Sequence, residues 1–194
     1  MRFISVNSSS PHYAPVESLL ISTFPENERR NLEQQRLYVD NNPRFTVYAA
    51  LDAEKFVGFF AVWTFEEFSF VEHFAVLPEF RGKGYGTHIL QYIKEIVKTP
   101  LLLEIEIPFS EEQVARQHFY EKNGFEKLDK FYFQPPYRAG EKRVVMHLMM
   151  YGKFNAAAWE KCEEKLDSYI QKIYAEVYSF THSAEEVEVD CELE

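Results

Sequence analysis

The chain has 194 residues, 46% of them hydrophobic and 27% charged, with a formal net charge of −10. This length and balance read as one soluble globular domain with a sizeable core. The acidic excess disfavours nonspecific nucleic-acid binding, and no apolar run approaches the roughly 18 residues that a membrane span needs. The first ten residues lack the basic start and apolar core of a secretory signal. Cys162 and Cys191 lie far from any metal-ligand spacing. That argues against a structural zinc or disulfide and fits a reducing cytoplasm, with no metal expected.

In chain order, Phe3–Val6 forms a short strand, and Val16, Leu19 and Leu20 begin a helix that Pro25 breaks. Glu28–Val39 reads as a second helix, closed by Asp40-Asn41-Asn42-Pro43. Phe45–Leu51 alternates as a strand, Asp52-Ala53-Glu54-Lys55 turns, and Phe56–Phe65 returns as a long apolar strand. Gly58 within it permits close packing or a bulge. Phe70–Leu77 is the third strand, so these three imply an antiparallel meander. Pro78 and the run Arg81-Gly82-Lys83-Gly84-Tyr85-Gly86 end it, and a helix follows with Leu90, Ile93 and Val97 on one face. A strand, a glycine loop and a helix N-terminus aim several backbone N–H groups at one spot, which suits a phosphate. The loop is neither a P-loop nor a dinucleotide fingerprint: Gly86-Thr87 lacks the lysine of the first, and Gly82, Gly84 and Gly86 fall at every second position.

Thr99-Pro100 stops the helix, and Leu101–Ile107 forms a strand parallel to Phe70–Leu77 through a right-handed crossover. Ser110 caps the next helix, which runs to Asn123-Gly124 with Glu111 and Glu112 in its first turn. Phe125–Phe133 and Lys142–Met150 close the sheet, joined by a proline-stiffened loop from which Tyr137 and Arg138 project. Asn155–Phe180 is an added helix whose stripe Cys162, Leu166, Tyr169, Ile173 and Val177 could pack on the sheet or on a partner subunit, so a homodimer stays open. Residues 1–182 thus read as one domain. The acidic segment 183–194 has no periodicity and reads as disordered.

The stretch Ala75-Val76, Pro78, Arg81, Gly84 and Gly86 resembles the acetyl-CoA-binding motif of the GNAT superfamily of N-acetyltransferases. A second stretch, Phe119 to Lys122 with Gly124 and Phe125, resembles that family's second motif. It departs upstream, where Gln113 and Arg116 stand in place of the family's asparagine and alanine. The segment Phe24-Pro25-Glu26-Asn27-Glu28-Arg29 is similar to one that follows the first helix in many small bacterial members, where the first two helices line the acceptor site. The resemblance implies an α/β (α+β) fold. Its centre is a mixed, mostly antiparallel twisted sheet with a parallel, splayed central strand pair, flanked by helices, here with the C-terminal helix added. It also implies that acetyl-CoA binds as co-substrate through Phe74, Ala75, Val76, Arg81, Gly82, Lys83, Gly84, Tyr85, Gly86, Thr87, Gln113 and Arg116.

The expected reaction moves an acetyl group from the thioester to a primary amine, on a small molecule or a peptide, by direct attack in a ternary complex. The acid excess of the chain suits a cationic acceptor, though solubility alone also accounts for it. The resemblance puts the oxyanion donor at the backbone N–H near Val76 and the thiolate-protonating acid at Tyr120. Glu72 and Glu104, on the two parallel strands, compete as general base. A carboxylate inside an apolar strand either faces a wet cleft or is paired with a cation. Glu104 lies beside the proposed sulfur position, and Glu106 shares its face. His73 points opposite to Glu72 and reads as a packed core histidine. Two other readings stay open. The same fold binds acyl-CoA without turnover as a regulatory or interaction module, and pocket depth decides whether a longer acyl donor fits.

Overall fold

The computed structural model describes residues 1–152 and 156–178, with side chains in the last helix described from residue 164 onward. The acidic segment 183–194, Cys191 and the side chain of Cys162 lie outside the described residues. Eight strands form one sheet: β1 (Arg2–Val6), β2 (Phe45–Asp52), β3 (Lys55–Thr64), β4 (Ser69–Val76), β5 (Leu101–Glu106), β6 (Glu126–Lys127), β7 (Tyr132–Gln134) and β8 (Val144–Tyr151). Their spatial order is β1-β2-β3-β4-β5-β8-β6, with β7 also on β8. All pairs are antiparallel except β4 with β5. Among the described residues no helix is long and apolar enough to cross a membrane.

Helices cover both faces. Helices α1 (Tyr13–Thr23), α2 (Leu32–Asn41) and α5 (Ala156–Val177) lie over one face, where Trp63, Phe68 and Phe70 are buried. Helices α3 (Tyr85–Ile96) and α4 (Glu111–Lys122) cover the other, over Phe60, Leu101 and Ile105. The apolar stripe of α5 packs in cis: Leu166, Tyr169, Ile173 and Val177 are buried, and Tyr169 stacks on Phe68 at 4.5 Å. The β2–β3 connection is a tight turn with Ala53 and Glu54 both at positive φ, matching the right-handed twist of the strands.

The feature that makes the site is a bulge. Val62 pairs with Val71 but Ala61 pairs with His73, so Glu72 is an extra residue in β4. A bulge bends its strand and raises the local twist. Accordingly β4 pairs with β5 only over Ser69–Leu101, Phe70–Leu102 and Val71–Leu103, and the two strands then part. Meanwhile β5 stays paired with β8 as far as Glu106–Met146. On the far edge of β4, Gly58 is required, because a Cβ there would lie 2.4 Å from the Ala75 carbonyl oxygen.

Three expectations change. The second helix begins at Leu32, not Glu28; Glu26–Glu28 is a single 3-10 turn and Arg29 is extended. The helix starts where Asn31 caps it, its side chain accepting from the Gln34 amide, while both arginines ahead of the cap are buried. The closing strand expected over Phe125–Phe133 splits into β6 and β7, with buried Leu128 between them. Finally, the bulge puts His73 on the same face as Glu72: its Nδ1 lies 3.9 Å from the Glu72 carboxylate. His73 is nonetheless packed in the core, 2% exposed.

Candidate active site

The parted strands open a cleft of about 690 Å³, bounded also by the end of α1, the glycine loop and one face of α4. Phe74, Ala75 and Val76 line it from β4, and Leu103 to Glu106 from β5. The Leu77 amide donates to the Val57 carbonyl across β3, at 2.9 Å. Ladder alternation therefore turns the Val76 and Phe74 amides toward the opened side. The Glu72 side chain is fully buried although the residue as a whole is not, so its exposed atoms are main-chain atoms of the bulge. Among the described residues the wedge thus presents β4 amides without a ladder partner along one wall, which an extended ligand carrying amides can pair with.

The glycine loop closes one end. Arg81 Nε donates to the Val76 carbonyl at 3.1 Å, folding the loop back on the strand. Gly82 and Gly84 have φ of 71° and 85°, and nothing lies within 4 Å of where their Cβ atoms would stand. Bare backbone therefore faces open space at the N-terminus of the twelve-residue α3, where the first amides have no intrahelical partner. The loop can hold a pyrophosphate. Gly86 serves packing instead: a Cβ there would meet the Phe119 ring of α4 at 3.3 Å. Gly86 and Thr87 both line the cleft. Lys83 and Tyr85 line a separate depression beside Phe3, and the Tyr85 hydroxyl donates to Asp52 at 2.6 Å. That bond leaves only the main chain of Tyr85 to the loop.

Arg116, Phe119 and Tyr120 of α4 line the cleft. Arg116 pairs with Glu106 at the end of β5 and lies 3.6 Å from Glu112. Gln113 is not among the lining residues. Its Oε1 accepts from the Phe109 and Ser110 amides, at 2.9 and 3.0 Å, and closes a capping box. A helix cap thus takes the carbonyl of the side chain expected at the cofactor. Tyr120 is buried between Phe119 and Phe125, and among the described residues its hydroxyl has no hydrogen-bond partner. Burial raises its pKa, so the hydroxyl keeps its proton at neutral pH.

The two candidate carboxylates sit in opposite environments. Glu72 accepts from Arg30 (2.5 Å), Tyr137 (2.9 Å) and Trp63 Nε1 (2.7 Å). Burial alone would raise its pKa, but the adjacent Arg30 charge and these hydrogen bonds hold it below the ordinary range. Arg30, itself 2% exposed, lies over the Tyr38 ring at 4.4 Å. Among the described residues no cation pairs with Glu104. It accepts from the Tyr132 hydroxyl, from Gln134 Nε2 at 2.8 Å, and from the Tyr178 hydroxyl at 3.1 and 3.0 Å to its two oxygens. Burial raises its pKa, the three donors hold it down, and it settles at about 7. That value suits a group that takes and gives protons near neutrality. His73 is kept neutral by burial, with Nε2 against the Glu28 carbonyl at 3.0 Å.

Sequence reasoning did not find Arg30, Trp63, Tyr132, Gln134 or Tyr178, and it placed Tyr137 on an exposed loop. Tyr137 is instead 4% exposed on the Glu72 carboxylate, while Arg138 beside it does project and pairs with Glu26 at 2.9 Å. The available signal was Arg29-Arg30 between two helices, where a buried carboxylate needs a cation.

A splayed parallel pair, a glycine loop at a helix start and a tyrosine on the next helix define an acetyltransferase fold of the GNAT type. The family model described as an acetyltransferase (GNAT) domain matches residues 43–127. A Bacteroides thetaiotaomicron structure described as a GNAT-family acetyltransferase is 36% identical over 92% of this chain and 98% of its own, with a TM-score of 0.84. The chain belongs to the GNAT family. Two more distant structures share the fold. An aminoglycoside 6′-N-acetyltransferase complexed with coenzyme A has 19% identity, TM-score 0.58, and coverage of 77% of this chain and 96% of its own. A family member from Elizabethkingia anophelis with acetyl-CoA bound has 16% identity, TM-score 0.55, and coverage of 77% and 96%. No curated protein matches the chain.

Proposed function

We propose that this acetyltransferase uses acetyl-CoA to acetylate a primary amine, by direct attack within a ternary complex. The observation that carries the reading is Glu104, a residue of the wedge wall whose carboxyl accepts from three neutral donors and, among the described residues, pairs with no cation. An alkylammonium has a pKa of about 10.4 and must lose a proton before it can attack. In this reading Glu104 accepts that proton, directly or through water. The amine nitrogen bonds to the thioester carbon, and the Val76 amide stabilises the oxyanion. The carbon–sulfur bond then breaks, and Tyr120 gives its hydroxyl proton to the departing thiolate. Arg81, Lys83 and the main chain of Gly82, Gly84, Gly86 and Thr87 hold the pyrophosphate, with Tyr85 contributing backbone only. Glu72 is assigned a structural role, because Arg30 and two other donors already occupy its carboxylate.

The acceptor is proposed to be a small amine, a class that includes the aminoglycosides acted on by two distant fold relatives. A reducing cytoplasm is the proposed setting, and residues 1–182 the proposed single domain. The test is thiol release from acetyl-CoA with a panel of primary amines, with the product followed by mass spectrometry. The reading predicts amine-dependent release and an amide product. If acetyl-CoA binds tightly but no amine in a broad panel accelerates release, the chain is a binding module and the reading is wrong.

A further inference from the structure

The C-terminal end of α5 reaches the proposed base. Tyr178, the residue after that helix, is 2% exposed and places its hydroxyl 3.1 and 3.0 Å from the two oxygens of Glu104. The preceding carbonyl, of Val177, accepts from Arg30 at 2.5 Å, which pins the helix end to the Glu72 pair. Tyr178 also accepts from Gln134 Nε2, at 3.2 Å. These contacts come from a segment outside the stretch that the family model matches, which ends at residue 127.

The three partners of Glu104 differ in what they can do when it gains a proton. An amide nitrogen only donates, so Gln134 Nε2 needs the oxygen it faces to stay an acceptor. The Tyr132 hydroxyl faces Oε1 alone. The Tyr178 hydroxyl stands near both oxygens, and a hydroxyl can either donate or accept. When Glu104 is ionised, Tyr178 donates to it. When Glu104 is protonated, the new O–H can donate to the Tyr178 oxygen, whose own proton turns to the oxygen of Tyr137, a hydroxyl hydrogen-bonded to Tyr178 that gives its own proton to Glu72. Such a reversal lets Glu104 change protonation state without stranding a buried polar group.

We propose that Tyr178 is a positioning residue for the reaction: a reversible hydroxyl that sets the proton affinity of Glu104, so that α5 is part of the active site and not an appendage. This rests on the reading of Glu104 as general base. Removing a donor to a carboxylate favours its neutral form. Tyr178→Phe should therefore move the acidic limb of the pH profile of kcat/KM to higher pH. Activity would fall several-fold at neutral pH and recover in alkaline buffer. Tyr132→Phe should move the limb in the same direction.

The experiment measures kcat/KM against pH for the wild type, Tyr178→Phe, Tyr132→Phe and Glu104→Gln, with coenzyme A affinity measured in parallel as a check on the fold. The proposal expects the limb near neutrality to vanish in Glu104→Gln, leaving only a rise at alkaline pH that follows the free amine, and to shift upward in Tyr178→Phe. A limb that vanishes in Glu104→Gln but does not move in Tyr178→Phe overturns the role of Tyr178 and leaves the base intact. A limb unchanged in Glu104→Gln overturns the base reading itself, and the proposal with it. Loss of activity in Tyr178→Phe by the same factor at every pH, with coenzyme A still bound, means a packing role only and also overturns it. Should Tyr178→Phe fail to bind coenzyme A, Tyr178→Met, which fills the space with neither a donor nor a titratable group, takes its place: an unmoved limb there counts against the proposal.

Discussion

Arg30 donates from one guanidinium nitrogen to Glu72 and from the other to the Val177 carbonyl, each at 2.5 Å. One buried cation therefore locks the bulged strand to the end of the C-terminal helix. Removing one partner of a buried pair leaves an uncompensated charge and typically costs about 3–5 kcal/mol. Arg30→Met should lose roughly that much in urea denaturation at neutral pH. The wild-type pair stabilises the fold above the ordinary glutamate range, because the Glu72 pKa is lowered, and that stabilisation is lost as pH falls through the lowered value. In the variant, the unpaired carboxyl takes up a proton more readily. The stability gap between the two proteins should therefore narrow as the buffer is acidified.

Glu104 has the opposite sign. Its pKa rises from 4.5 to about 7 on folding. The folded state binds the extra proton, so this stabilisation is full below the unfolded value and is lost as pH rises through 7. Glu104→Gln has no such titration. Its melting temperature relative to the wild type should rise between pH 5 and pH 8, by an amount equivalent to at most about 3 kcal/mol. A constant difference over that range would show that Glu104 does not titrate there.

Tyr120→Phe removes only a hydroxyl that has no partner among the described residues, so fold and coenzyme A affinity should be unchanged. Turnover should fall by roughly ten- to ten-thousand-fold, the span for one acid–base group. Calorimetry and steady-state rates check the two halves of this expectation.

Gly84 stands in the left-handed region with open space around its Cα. A side chain there costs about 1–2 kcal/mol of strain and covers the bare backbone of the loop. Gly84→Val should leave a folded protein whose affinity for coenzyme A falls at least about tenfold, because that backbone can no longer approach the pyrophosphate. Calorimetric titration measures this, and unchanged affinity would move the pyrophosphate elsewhere.

Much of this site was written in local signals. The glycine loop, the Ser110 cap and the stripe of α5 each rest on neighbours within a few residues, and the fold places all three as periodicity and capping chemistry dictate. The bulge was not legible. Val71, Glu72 and His73 alternate in sequence, yet the extra residue in β4 turns Glu72 and His73 to one side, and only the register against β3 reveals it. The environments of the two glutamates were illegible for a related reason. What separates them is Arg30, 42 residues from Glu72, and Tyr178, 74 residues from Glu104. Buried polar partners at such separations leave no periodic trace. The start of α2 was misjudged because the two arginines ahead of it look like an exposed helical face, whereas both are buried.

The proposed acetyl-transfer site is the wedge between β4 and β5, with Glu104 and not Glu72 as its base. The most direct measurement compares acetyl transfer to a primary amine by Glu104→Gln and Glu72→Gln, over a range of pH, each variant first shown to be folded and to bind coenzyme A. Glu104→Gln should lose about ten- to ten-thousand-fold at neutral pH and regain most of it in alkaline buffer, where free amine is abundant. Folded Glu72→Gln should keep the wild-type pH profile. Wild-type rates and an intact acidic limb in Glu104→Gln, or loss of that limb in Glu72→Gln alone, would contradict the account.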